Sequence, residues 1–215
     1  MAELRTEEEQ VQAIKDWWKK NGSSLLIGIG AALAIVFGWQ AWQNYQAQER
    51  AEAANQFANL MNAYSAGDDQ ETVAFVAEEL RNQHADSAYA IYGNVVLARQ
   101  QMMTGDDPQA AADSLSWALE KAADYPALTR VIRNRLARAQ FAAGDNEAAL
   151  ATLDGAGDSD AFDAIYSELR GDILLAMGNR DGAREAYLAA RDQTRQGRNG
   201  VLEIKLADLG VGGDA

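Results

Sequence analysis

Two arginines, Arg99 and Arg138, carry the clearest chemistry in this chain of 215 residues. Each stands six residues before a glycine that closes a helical run, Gly105 and Gly144. A guanidinium is a rigid fork of donors that fits a carboxylate or a backbone carbonyl. Two of them, one structural unit apart, predict a grip on such a group. Met102, Met103 and Phe141 lie close by in sequence and suit adaptable apolar contact. Tyr92 and Asn134 precede the arginines in the same runs, and Asp172 and Leu175 take the equivalent place before Gly178. Together these nine residues are the candidate partner-binding set. The competing role is structural: the arginines pair with nearby acidic residues and the apolar side chains belong to the core.

Catalytic chemistry has less to stand on. Cysteine is absent, which excludes thiolate catalysis, a disulfide framework, Cys-based zinc sites and a lipidated cysteine. His84 is the only histidine, and no G-x-S-x-G elbow accompanies it. Aspartates and glutamates are plentiful, yet no pair stands apart from solvated helix faces. The expectation is therefore no catalytic residue, no cofactor and no metal, in a protein that binds other proteins.

The elements that position these residues are helices. Only 2 prolines and frequent alanine argue for helix over sheet. Gly144-Asp145-Asn146 and Gly178-Asn179-Arg180 are 34 residues apart, the period of the tetratricopeptide repeat. Small and large residues follow each turn in step: Ala149 and Leu153, then Ala183, Tyr187 and Ala190. Gly105-Asp106 fits one unit earlier, 39 residues before Gly144, which places about five inserted residues around Ala122–Pro126. Gly67-Asp68 marks a fainter fourth unit. An ordinary helical bundle is the alternative, but the recurring turns favour stacked repeats, whose first helices line a concave face. After the last unit, Val201, Leu202, Ile204, Leu206 and Leu209 are candidates to cap the stack, as a helix or as an extended segment.

The N-terminal part reads differently. No charge occurs between Lys20 and Glu49, and Leu25 to Trp42 is almost wholly apolar. Eighteen such residues nearly cross a bilayer on roughly 1.5 Å of rise each. Trp17 and Trp18 flank one end and Trp39 and Trp42 the other; Trp18 to Trp39 spans roughly 31 Å of helix, close to the hydrocarbon thickness. A cleaved signal peptide or a buried core helix would be alternatives. The tryptophans that follow the run, and its apolarity all round, favour a retained anchor. Lys15, Lys19 and Lys20 precede the span and only Arg50 follows soon after, so the N-terminus is expected in the cytoplasm and the rest outside it. Gly28, Gly30, Ala34 and Gly38 recur at spacing that permits close helix packing in lipid. Before the span, Thr6 with Glu9 forms a capping box, Val11, Ile14 and Trp18 share one face, and Gly22 is expected to end a short interfacial helix. After it, no Gly or Pro interrupts Trp39 to Ala66, where Ala53, Phe57, Leu60 and Tyr64 recur at helical spacing.

The expected fold class is all-α: a single N-terminal transmembrane helix followed by a tetratricopeptide-like α-solenoid of three to four helix pairs. Its parts are 1–22 cytoplasmic amphipathic segment, 23–44 transmembrane anchor, 45–66 helical stalk and first repeat helix, 67–194 repeat domain, and 195–215 capping tail. Residues 49–215 hold 15 basic and 27 acidic residues, a balance that repels nucleic-acid phosphates.

Glu9-Gln10-Val11, Ala13-Ile14-Lys15, Trp17-Trp18 and Asn21-Gly22, then the span and Gly38-Trp39-Gln40-Ala41-Trp42, resemble the YfgM family. The order of span, acidic repeats and short apolar tail extends the resemblance over essentially the whole chain. It implies an ancillary subunit of the SecYEG translocon, single-pass in the bacterial inner membrane with a periplasmic repeat domain. It also implies association with a membrane-anchored periplasmic chaperone of the PpiD type and with unfolded secretory proteins. A scaffold for another envelope assembly, such as cell division or polymer export, is the alternative function.

Overall fold

The computed structural model describes residues 7–67, 70–104, 106–156, 162–194 and 200–211. Thr6, Asp68, Gly105 and parts of the 195–215 tail, named above, lie outside them. The described residues form helices joined by short turns, with no strand: α1 (Glu7–Ala66), α2 (Gln70–Gln83), α3 (Ala88–Met103), α4 (Pro108–Lys121), α5 (Pro126–Ala142), α6 (Asn146–Asp154), α7 (Asp163–Ala176), α8 (Arg180–Gln193) and α9 (Gly200–Asp208). The chain divides into two compact units, Met1–Ala51 and Glu52–Ala215.

The described residues of the first unit are a stretch of α1. Its apolar side chains are bare: Ile27 is 70% exposed, Ile35 72% and Phe37 63%. A soluble core helix would cover such groups, so this one is left with apolar surface all round, long enough to cross a bilayer. Gly22 does not end a helix as expected, because α1 runs straight through it. Glycine there carries its cost in helix propensity, but it also makes room: a Cβ would lie 3.1 Å from the Trp18 indole.

The second unit is a stack of helix pairs. Residues 52–66 of α1 pair with α2, α3 with α4, α5 with α6 and α7 with α8. The last two pairs close on turns whose sequence explains their shape. Gly144 has φ +84° and Gly178 φ +81°, left-handed values that cost glycine nothing. The Gly144 amide donates to the Phe141 carbonyl at 3.0 Å and the Asp145 amide to that of Gln140 at 2.9 Å. The next turn repeats this, Gly178 to Leu175 at 3.0 Å and Asn179 to Leu174 at 2.9 Å. Asp145 and Asn179 then cap α6 and α8 by accepting from Ala148 and Gly182.

The earlier unit departs from this pattern. Asp107 rather than Asp106 caps α4, accepting from Ala110, and Asp106 takes a left-handed φ of 46°. The longer spacing of this unit also has a different origin from the one expected. The residues between α4 and α5 are a short turn, while α4 has 14 residues where α6 has 9, and α5 has 17 where α7 has 14. The helices together are eight residues longer, the connection from α4 to α5 is four shorter than residues 155–162, and one more residue precedes α4, which leaves the net five.

Close packing holds the stack together. Leu60, Val73 and Ala77 are fully buried with Leu97 beside them, so the face read in the 53–64 region does pack into the first pair. Gly93 lets α3 approach, since a Cβ there would stand 2.9 Å from Leu80. Ile91, Ala111, Leu115, Ile132 and Leu136 join α3, α4 and α5. Each large side chain so buried contributes about 1.5–3 kcal/mol. The tail is helical over Gly200–Asp208, and Leu202, Leu206 and Leu209 pack on Ala183, Tyr187 and Ala190. Val201 and Ile204 do not join them and are 58% and 64% exposed, because only every third or fourth residue of α9 faces the stack.

Candidate partner-binding groove

The first helices α3 and α5, with the floor of α4 between them, enclose an open cavity of about 290 Å³. Val95, Ala98, Arg99, Met102 and Met103 come from α3, Leu115 from α4, and Arg135 and Arg138 from α5. Periodicity dictates this grouping. Val95, Arg99 and Met102 recur at one helical face, as do Arg135 and Arg138. Val95, Ala98 and Leu115 are buried and make the floor, while Met103 is 70% exposed at the edge.

Arg99, Arg135 and Arg138 form no ion pair with any described residue. Arg99 lies over the Tyr64 ring at 6.0 Å, and the Arg138 Nε donates to Asn134 Oδ1 at 3.1 Å. Stacking and a single neutral hydrogen bond orient the two forks without consuming their charge. α3 and α5 contain Arg99, Arg130, Arg133, Arg135 and Arg138 and no aspartate or glutamate at all. Arg133 is turned away, donating to the Thr152 carbonyl at 3.0 Å. A wholly basic pair of helices thus sits inside a strongly acidic domain.

Four of the nine residues expected to bind a partner meet at this cavity: Arg99, Met102, Met103 and Arg138. Asn134 supports Arg138, and its Nδ2 is buried with no hydrogen-bond partner. Tyr92 lies apart, 6.4 Å from the Phe57 ring. Phe141 packs with Ala137, Ala149 and Leu153. Asp172 and Leu175 are not brought to the cavity. Leu175 packs with the α8–α9 cluster. Asp172 accepts from the Tyr187 hydroxyl at 2.8 Å and pairs with Lys205 at 2.7 Å, and Lys205 reaches Glu168 at 2.8 Å. Burial, then the hydrogen bond to Asp172, pushes the Tyr187 hydroxyl well above its ordinary pKa. Burial opposes the charge of Lys205, but Asp172 and Glu168 outweigh it and raise its pKa.

Arg99, Arg138 and Asp172 occupy one register, five residues before Thr104, Ala143 and Met177, which end α3, α5 and α7. Their fates diverge because α9 delivers Lys205 to the last of them. The sequence reading missed Arg135, whose signal was its position three residues before Arg138. It also missed the floor residues, which only the packing of α4 reveals.

In the first unit, Trp17, Trp18, Trp39 and Trp42 are each more than half exposed, and the Trp39 and Trp42 rings stand 5.1 Å apart. Around Gly28, Gly30 and Gly38 nothing approaches where a Cβ would be, and Ala34 is exposed. Among the described residues no three His, Asp or Glu side chains gather into a group able to hold a metal.

A family model described as a tetratricopeptide repeat-like domain matches residues 15–211. Relatives named ancillary SecYEG translocon subunit include one from Haemophilus influenzae, 30% identical over 97% of this chain and 100% of the relative. Another, from Escherichia coli, is 29% identical over 95% of this chain and 97% of the relative. A third, from Neisseria gonorrhoeae, is 24% identical over 97% of this chain and all of the relative. Since these matches take in the apolar helix and the repeats together, end to end, the chain belongs to the YfgM family of ancillary SecYEG translocon subunits.

Proposed function

We propose that this protein is a non-catalytic partner of the Sec translocon that holds other proteins beside the channel exit. α1 crosses the inner membrane once, with the lysines at 15, 19 and 20 on the cytoplasmic side and the repeat domain in the periplasm. The repeat domain engages a membrane-anchored chaperone of the PpiD type, emerging unfolded secretory proteins, or both. The observation that carries this reading is the end-to-end match to relatives named for the translocon, with anchor and repeats in the same order. The bare apolar stretch of α1 and the unconsumed arginines of the groove support it.

Affinity capture of the tagged full chain from detergent-solubilised inner membranes tests it. Recovery of SecY and of the PpiD-type chaperone is the expected result. Their absence, with other envelope proteins recovered instead, would overturn the reading.

A further inference from the structure

We propose that the α3–α5 cavity binds an extended segment of a partner protein whose acidic side chains alternate with apolar ones. This deepens the reading above, that the domain holds other proteins, by naming the chemistry of what it holds.

Charge complementarity carries the argument. Residues 49–215 hold 27 acidic residues, yet α3 and α5 hold none, and five arginines instead. Three of those, Arg99, Arg135 and Arg138, rim one cavity and lack a carboxylate partner among the described residues. An arginine left exposed and unpaired in an acidic domain is poised for an external carboxylate, which it binds in bidentate fashion. The surrounding acidic surface repels a partner that is acidic throughout, so attraction is confined to this cavity.

The shape sets the kind of segment. Val95, Ala98 and Leu115 form an apolar floor and Met102 and Met103 an adaptable wall, so the occupant needs apolar side chains as well as acidic ones. In an extended chain, side chains two residues apart point the same way about 7 Å apart. Two carboxylates so spaced reach arginines on neighbouring helices while the residues between them face the floor. A cavity of about 290 Å³ takes a few side chains and no folded surface. The register also ends there: at the third position stands Asp172, already held by Tyr187 and Lys205. The site therefore covers two repeats and no more.

The probe is a fluorescein-labelled, C-terminally amidated peptide, Gly-Ser-Leu-Glu-Leu-Glu-Ser-Gly, measured by anisotropy against the full chain in detergent micelles. Its control replaces both glutamates with glutamine. The expected result is affinity at least about tenfold higher for the glutamate peptide, a preference that fades at high salt. The double variant Arg99→Gln/Arg138→Gln removes the preference, while Arg191→Gln on α8 keeps it. Both groove arginines are exposed, so an unchanged circular dichroism spectrum verifies the fold of the variant. Equal binding of both peptides overturns the proposal, as does a preference that survives the double variant. Binding confined to anionic phosphatidylglycerol vesicles, or a self-association that the double variant abolishes, would likewise assign the arginines elsewhere. SecY recovery by the same double variant shows that failure of the groove is not failure of the translocon reading.

Discussion

Replacing Gly171 with alanine adds one methyl group where the α7–α8 pair has no space for it. The added Cβ would fall 2.2 Å from Tyr187 Cε1 and 2.3 Å from Cδ1, far inside contact distance. The ring cannot swing aside, because it is 1% exposed and its hydroxyl is fixed to Asp172 at 2.8 Å. Overpacking of this kind costs about 1–3 kcal/mol. Loosening the hydroxyl from a carboxylate adds roughly 1.5 kcal/mol. Alanine returns about 1 kcal/mol through its better helix propensity. The net expectation is a loss of about 2 kcal/mol, or roughly 4–8 °C in Tm for a domain of this size. Urea and thermal unfolding of the full chain in micelles, followed by circular dichroism, measures it. The cycle with Tyr187→Leu isolates the cause: with the ring gone, Gly171→Ala should cost nothing or stabilise. An unchanged or raised Tm for the single variant, or the same loss in both backgrounds, would refute the argument that this contact sets the pair's spacing.

Three further outcomes follow from the same packing. Lys205→Met removes the cation that Glu168 and Asp172 share and should cost about 2 kcal/mol in urea unfolding, where an unchanged midpoint would remove the tail's role as a lock. Lys205 and Tyr187 both hold their protons more tightly in the folded chain, so the stability they add is complete below pH ~10 and is lost as pH rises further; the urea midpoint should fall above that value, and less steeply in the Lys205→Met/Tyr187→Phe variant. Gly144→Ala forces a side chain into φ +84° and should cost about 1–2 kcal/mol, although nothing stands within 4 Å of the new methyl, so crowding plays no part in any loss observed.

Much of the fold is legible in the sequence because its signals are local. A glycine followed by Asp or Asn can stop one helix and cap the next within three residues, and the recurrence at Gly144 and Gly178 therefore exposes the repeat. The tail is less plain: Leu202, Leu206 and Leu209 stand among its capping candidates, but so do the exposed Val201 and Ile204, and the pattern leaves its conformation open. What escapes is set by packing across helices. Gly22 carries the signal of a helix end, but that signal is weak where flanking residues continue the helix and an indole occupies the vacant side. The source of the 39-residue spacing is hidden because additions inside a helix leave no turn residues behind. At the groove, two arginines in register are visible from the sequence. That Asp172, in the same register, is consumed depends on Lys205, 33 residues away along the chain on a helix whose docking no local pattern specifies.

Everything functional in this account depends on which side of the membrane the repeats occupy. Protease added to spheroplasts of cells expressing the full chain, with the inner membrane intact, measures that directly. The repeat domain should be degraded at once, leaving a short protected fragment that contains the apolar stretch of α1. A repeat domain that survives until the inner membrane is broken would contradict it.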